Sequence, residues 1–259
     1  MKSIFRKHLN KLLLFILKIS TIVENQFNIF ILSLFNDKDL ITKSEKFTSH
    51  IYTLDHSIQD MIHKILVRNQ VYGMYLRFLN SCTNLLTNIR SYYENTNKLL
   101  SLSSEIPLPL EVSHYQYLYD HLQKISTQST IIFSSIQRQN TKNLINIVLS
   151  TNELIEDNIR NKELTLSSLS RTEKHQYTDI IINIFDLLEK QVIILGKLAE
   201  IITFILEGNI DIFPQKVNGN GENIDIEDIH IEVLNSQFKI DEKSEMIIIE
   251  MSKLLSQFR

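Results

Sequence analysis

Apolar residues return every three or four positions along most of this chain. Leu9, Leu12, Ile16, Ile19, Val23, Phe27, Phe30 and Leu34 form the first such seam, the mark of an amphipathic helix with one face turned to a core. "NDKD" at 36–39 reads as a turn and helix start. Leu40, Phe47, Ile51, Leu54, Ile58, Ile62 and Ile65 make a second seam, Gly73 marks the next turn, and a third helix runs from Tyr75 towards Leu102. Pro107 and Pro109 then stop any helix and favour an extended connector. The pattern starts again with Leu118, Leu122, Ile125, Ile132 and Ile136, a turn near Asn140, a fifth helix from about Leu144 to Leu166, and a sixth from about Glu173 to Glu207. Ser170 or Thr172 suits the cap of that last helix, and Gly208 its end.

The order helix, short turn, helix, short turn, long helix thus occurs twice, each copy about 100 residues long, the scale of a duplicated domain rather than a solenoid. Short turns between long helices force antiparallel neighbours. The expected fold is all-α: two tandem three-helix bundles related by internal duplication, with a short C-terminal extension. The expected organisation is a first repeat over 1–104, a proline-containing linker over 105–113, a second repeat over 114–208, and an acidic extension over 209–259. Within that extension Ile224 to Val233 alternates like a half-buried strand, and the stretch beginning at Asp241 reads as a terminal helix.

Composition supports long helices. Among 259 residues there are 5 Gly, 3 Pro and no Trp, and sheets and tight hairpins would need more chain breakers. One cysteine, Cys82, excludes an intramolecular disulfide and any cysteine-rich metal site. With no general-base partner readable nearby, it reads as a packed thiol. The net charge of −3 is unevenly spread. Met1 to Ser20 holds Lys2, Arg6, Lys7, Lys11, Lys18 and no acid, whereas Asp211 to Arg259 holds ten acids against five bases. A basic amphipathic start suits contact with anionic lipid. The longest uninterrupted apolar run there, Leu12 to Leu17, is too short to span a bilayer or to serve as an export signal. The basic count is too low for nucleic acid. No Gly-rich phosphate loop, nucleophile elbow or Ser/His/Asp triad occurs.

His56, Asp60 and His63 fall on one helix face at a spacing that suits zinc, though a polar surface face has the same pattern. His114 and His121 lie among Tyr115, Tyr117 and Tyr119 and read as surface or interface.

Two phrases carry a family resemblance. "RNQVYGMYLR", Arg68 to Arg77, and "RSYYE", Arg90 to Glu94, resemble "RQP…DLR" and "ERIGD" of the PhoU family, regulators of bacterial phosphate uptake. "LEKQVIILGKLAEIITFILEGN", Leu188 to Asn209, resembles the second-repeat phrase "LERIGDHATNIAE…YLxxGE" without gaps. Arg77, Arg90, Lys190 and Glu200 are the motif-equivalent positions. Tyr75, Arg90 and Ile193 stand where the family has acids. Thr48 and Tyr52, and in the second repeat Asn152 and Glu156, are aligned with the other acidic pair.

The resemblance implies a cytoplasmic, non-enzymatic regulator, with a place at the periphery of the inner membrane also in view. Its implied partners are a phosphate ABC transporter ATPase and a sensor histidine kinase, with a homodimer and peripheral membrane contact also in view. The family is thought to hold iron or zinc clusters on paired acids. Here the acids left to act as metal ligands are Glu94, Glu156 and Glu189, so no cofactor is the expectation, and Arg90 is expected to pair with Glu94 at i,i+4. The alternatives are a metal-binding helical-bundle protein, including a metal-dependent enzyme on that scaffold, and a membrane-surface helical adaptor related to permease-linked PhoU-like domains.

Overall fold

The computed structural model describes residues 2–208 except 37, 69–72, 108 and 139–140. At 2–6, 43–49, 68, 74, 137, 171–175 and 208 it describes the backbone alone. The strand-like stretch Ile224 to Val233 and the terminal helix expected after Asp241 lie outside the described residues.

Among the described residues six helices follow one another: α1 (Lys2–Phe35), α2 (Asp39–Arg68), α3 (Met74–Ser104), α4 (Gln116–Arg138), α5 (Lys142–Ser168) and α6 (Arg171–Gly208). Their ends fall where chain breakers and polar turns sit. Gly73 precedes α3 with φ 58°, a conformation that costs any residue with a Cβ. Leu169 and Ser170 separate α5 from α6.

Helices α1, α2 and α3 pack on one another, and so do α4, α5 and α6. Between the two bundles, α1 meets α4 and α3 meets α6. Each of those contacts joins the same-numbered helix of the two repeats, the arrangement an isologous interface has. The two bundles therefore do more than stand side by side. A single cluster of buried apolar residues runs through all six helices. A chain of rings ties its centre together: Phe30 against Phe27, Phe27 against Tyr92, and Tyr92 edge-on to Phe133 at 5.8 Å.

The polar turn between α1 and α2 is stitched to the end of α3. Lys38 donates from Nζ to the Ser103 carbonyl at 2.8 Å, and the Leu110 amide donates to the Leu34 carbonyl at 2.8 Å. A lysine suits a helix C-terminus, where unpaired carbonyls carry partial negative charge. Partial burial pulls its ammonium pKa down to about 8.

Counting unbroken apolar runs understates α1. Within Lys7–Phe35 an 18-residue window reaches a mean hydropathy of 1.3, enough by length and composition for a membrane span. More than half of that window is buried within the bundle, and Leu12, Ile16, Ile22, Phe27 and Phe30 are fully covered by protein. The interior of the first bundle, packed from three sides, accounts for that hydropathy.

Candidate functional site

The first repeat places its motif residues where α2 meets α3. Arg90, half-buried on α3, donates from Nη2 to Oδ2 of Asp55, a buried residue on α2. Gln59, one turn further along α2, donates to the same oxygen at 3.3 Å. Tyr52 and Tyr93 meet edge-on beside the pair at 5.8 Å. The pair is incompletely satisfied: Asp55 Oδ1 and Arg90 Nε are buried without a hydrogen-bond partner.

This corrects the expected pairing of Arg90 with Glu94. Glu94 faces solvent one turn along α3. An ion pair between exposed groups on one helix gains only a few tenths of a kcal/mol. A buried carboxylate left uncompensated costs far more, so the long arginine side chain reaches across to Asp55. Sequence spacing along a single helix does not reveal such a pair, and Asp55 was missed for that reason. Its signal was an acid between Leu54 and Ile58, beside the apolar seam of α2.

The corresponding region of the second repeat is built differently. Glu189 is half-buried on α6, Lys190 and Glu200 are exposed, and Ile193 is 36% exposed. Glu156 and Asn152 face solvent on α5. Inside, Asn158 donates from Nδ2 to the Phe185 carbonyl at 3.0 Å and lies beside buried His121. Burial lowers the His121 pKa to about 4, and the neighbouring Asn158 side chain offsets only part of the shift, since neither ring nitrogen has a hydrogen-bond partner. Asp157 next door is held by Lys124 at 2.8 Å and by Arg160, and its pKa is lowered chiefly by the Lys124 hydrogen bond. His121 is therefore a core residue of α4, not the surface or interface group expected beside His114. His114 itself is exposed, 3.6 Å from Glu111.

Two helix-to-helix contacts complete the geometry. At Gly196 on α6, a Cβ would lie 2.8 Å from Thr151 Oγ1 on α5, so any larger residue there must push Thr151 aside. Between α3 and α6, Asn95 donates to Gln191 Oε1 at 2.6 Å and to the Leu187 carbonyl at 2.7 Å, while Gln191 donates to Thr96 Oγ1 at 2.9 Å. Tyr92 donates onward to Ser129 of α4 at 3.1 Å, and burial raises its phenol pKa. Sequence reasoning missed this network, although Gln191 interrupts the seam Leu188, Leu195, Leu198.

Arg77 is exposed on α3, and His56, Asp60 and His63 line the exposed side of α2. Cys82 is fully buried, and burial raises its thiol pKa, which keeps it protonated and unreactive. Among the described residues, no three His, Cys, Asp or Glu side chains come together in a group able to hold a metal ion. Glu94, Glu156 and Glu189 are accordingly not gathered into one ligand set. Where the resemblance puts an acid, Arg90 stands instead, and its guanidinium neutralises Asp55. Among the described residues, the side chains at these positions do not form the paired-acid set that a multinuclear iron or zinc cluster needs.

No family model matches this chain, and no curated protein sequence matches it significantly. Its structure matches the crystal structure of PhoU from Pseudomonas aeruginosa with a TM-score of 0.68 at 14% sequence identity. The match covers 79% of this chain and 99% of that one. What it leaves uncovered here is comparable in length to the segment after Gly208. The paired three-helix bundles have the PhoU fold.

Proposed function

We propose that this protein is a non-enzymatic regulator of phosphate uptake and phosphate-starvation signalling. It acts by docking helix faces onto a phosphate ABC transporter ATPase and a sensor histidine kinase at the cytoplasmic side of the inner membrane. The observation that carries this reading is the structural match over nearly the whole length of a PhoU chain. The exposed outer side of α5 supports a docking role. Ile145, Leu149 and Ile159 stand out of it, and Leu149 is 75% exposed, an apolar stripe of the kind partner helices cover.

The test is affinity capture of the full chain from native cells grown in high and in low phosphate. A phosphate transporter ATPase or a sensor kinase should be recovered, and Leu149→Asp should reduce its recovery at least threefold with the melting temperature unchanged. Absence of both partners under both conditions would sink the proposal.

A second reading, a membrane-surface adaptor, is favoured by one feature, the basic and apolar opening of α1. Flotation with anionic vesicles separates the two readings, because the adaptor must co-float in the absence of any partner protein.

A further inference from the structure

The described fold ends beside its most basic stretch. A small apolar cavity of about 10 Å³ is lined by Leu13 and Ile16 of α1, Cys82 of α3, Ile136 of α4, and Ile205 and Leu206 of α6. The opening turns of α1 and the closing turns of α6 therefore share an end of the bundle, and the chain leaves α6 two residues past Leu206. At that end α1 carries Lys2, Arg6, Lys7 and Lys11, with no acid before Glu24. Lys7 is exposed and Lys11 half-buried, and Leu13, Leu14, Phe15 and Leu17 beyond them are only partly covered.

The segment that departs from Gly208 has the complementary composition. Glu222, Asp225, Glu227, Asp228 and Glu232 put five acids into eleven residues with no lysine or arginine among them, and isoleucines alternate with the acids. We propose that Glu222 to Glu232 docks along the first turns of α1 of the same chain, its acids on the lysines and its isoleucines on the half-covered apolar side chains.

Reach permits it. Residues 209–221 extend up to about 3.3 Å each, roughly 40 Å in all, whereas α1 rises only about 1.5 Å per residue over the same basic turns. Single exposed ion pairs contribute little. Several pairs closed within one chain gain from the high effective concentration of a tethered partner. The positive end of the α1 dipole adds to the attraction, and salt screens all of it. The docked segment covers the basic face that an anionic surface would otherwise use, so it acts as a built-in competitor for that face.

Zero-length carbodiimide cross-linking of the full chain at low salt tests the contact. A mixture of isotopically light and heavy copies is used, and the products are mapped by peptide mass spectrometry. Links from Lys7 or Lys11 to acids within 222–232 should dominate, should join light to light and heavy to heavy, and should fall at least fivefold in 1 M NaCl. In parallel, a full-length variant with E222Q, D225N, E227Q, D228N and E232Q should gain at least fivefold in flotation with phosphatidylglycerol vesicles. Adding Lys7→Glu and Lys11→Glu should abolish that gain. Links from the segment to other parts of the bundle, links only between light and heavy copies, or equal flotation of the wild type and the neutralised variant would each overturn the proposal.

Discussion

The two repeats share a helix order and differ in how their second and third helices are joined. In the first, α2 and α3 are joined by a charge pair, Asp55 with Arg90, at a position where the resemblance puts an acid. In the second, the charge pair between α5 and α6, Lys162 with Asp186 at 2.7 Å, lies towards solvent, and the contacts inside are neutral. Asn158 donates to the Phe185 carbonyl, Gly196 lets the helices approach, and Ile193 stands where an acid would be. The first bundle buries a charge pair between its helices, whereas the second keeps its pair towards solvent and joins its interior by neutral polar contacts. Each arrangement has its own weakness: a charge that must stay paired, and a buried imidazole that must stay neutral.

The largest effect should come from acid acting on the second repeat. His121 faces Asn158 and Asp157 of α5 and lies near Lys124 on its own helix. Its pKa is about 4 in the fold against 6.5 for the free group. Between those values the unfolded chain binds more protons, so stability falls as pH drops from about 6.5 towards 4, by up to about 3 kcal/mol in all. Urea melts at pH 7 and pH 4.5 measure this, and His121→Phe should flatten that part of the pH dependence.

Breaking the charge pair should come next. Arg90→Ala leaves Asp55 buried and unpaired and should cost about 2 kcal/mol. This lies below the usual range for a buried pair because the arginine is partly in water. Removing both partners, Asp55→Leu with Arg90→Leu, should recover most of the loss, which a double-mutant cycle reads directly. The glycine contact should matter slightly less. Gly196→Ala forces Thr151 aside and should cost about 1 to 2 kcal/mol in a thermal melt. Smallest of all, Glu94→Ala and Glu189→Ala should each change stability by no more than about 0.5 kcal/mol, as surface substitutions do.

Helix order and ends were readable because each helix carries an unbroken apolar seam and each turn a polar cluster, Gly or Pro. The partners of the polar residues were not. Arg90 had two carboxylates in reach, and only the packing angle of α2 on α3 shows that Asp55 is the one used. His121 was grouped with His114 by residue type. Its register with Leu118 and Ile125 places it on the buried side of α4, a signal that was present in the spacing. Asn95 and Gln191 sit on apolar seams in the same way, and a polar residue on such a seam marks where two bundles meet. The PhoU resemblance rested on phrases whose acids are mostly replaced.

The central claim is that Arg90 pairs with Asp55 where the resemblance puts an acid, which leaves no pair of acids there for a metal. Elemental analysis tests it most directly, on full-length protein exposed to iron and zinc salts and then desalted. The account predicts substoichiometric metal and a melting temperature unchanged by chelator. One or more equivalents of iron or zinc per chain, lost in Glu94→Ala or Glu189→Ala, would contradict it.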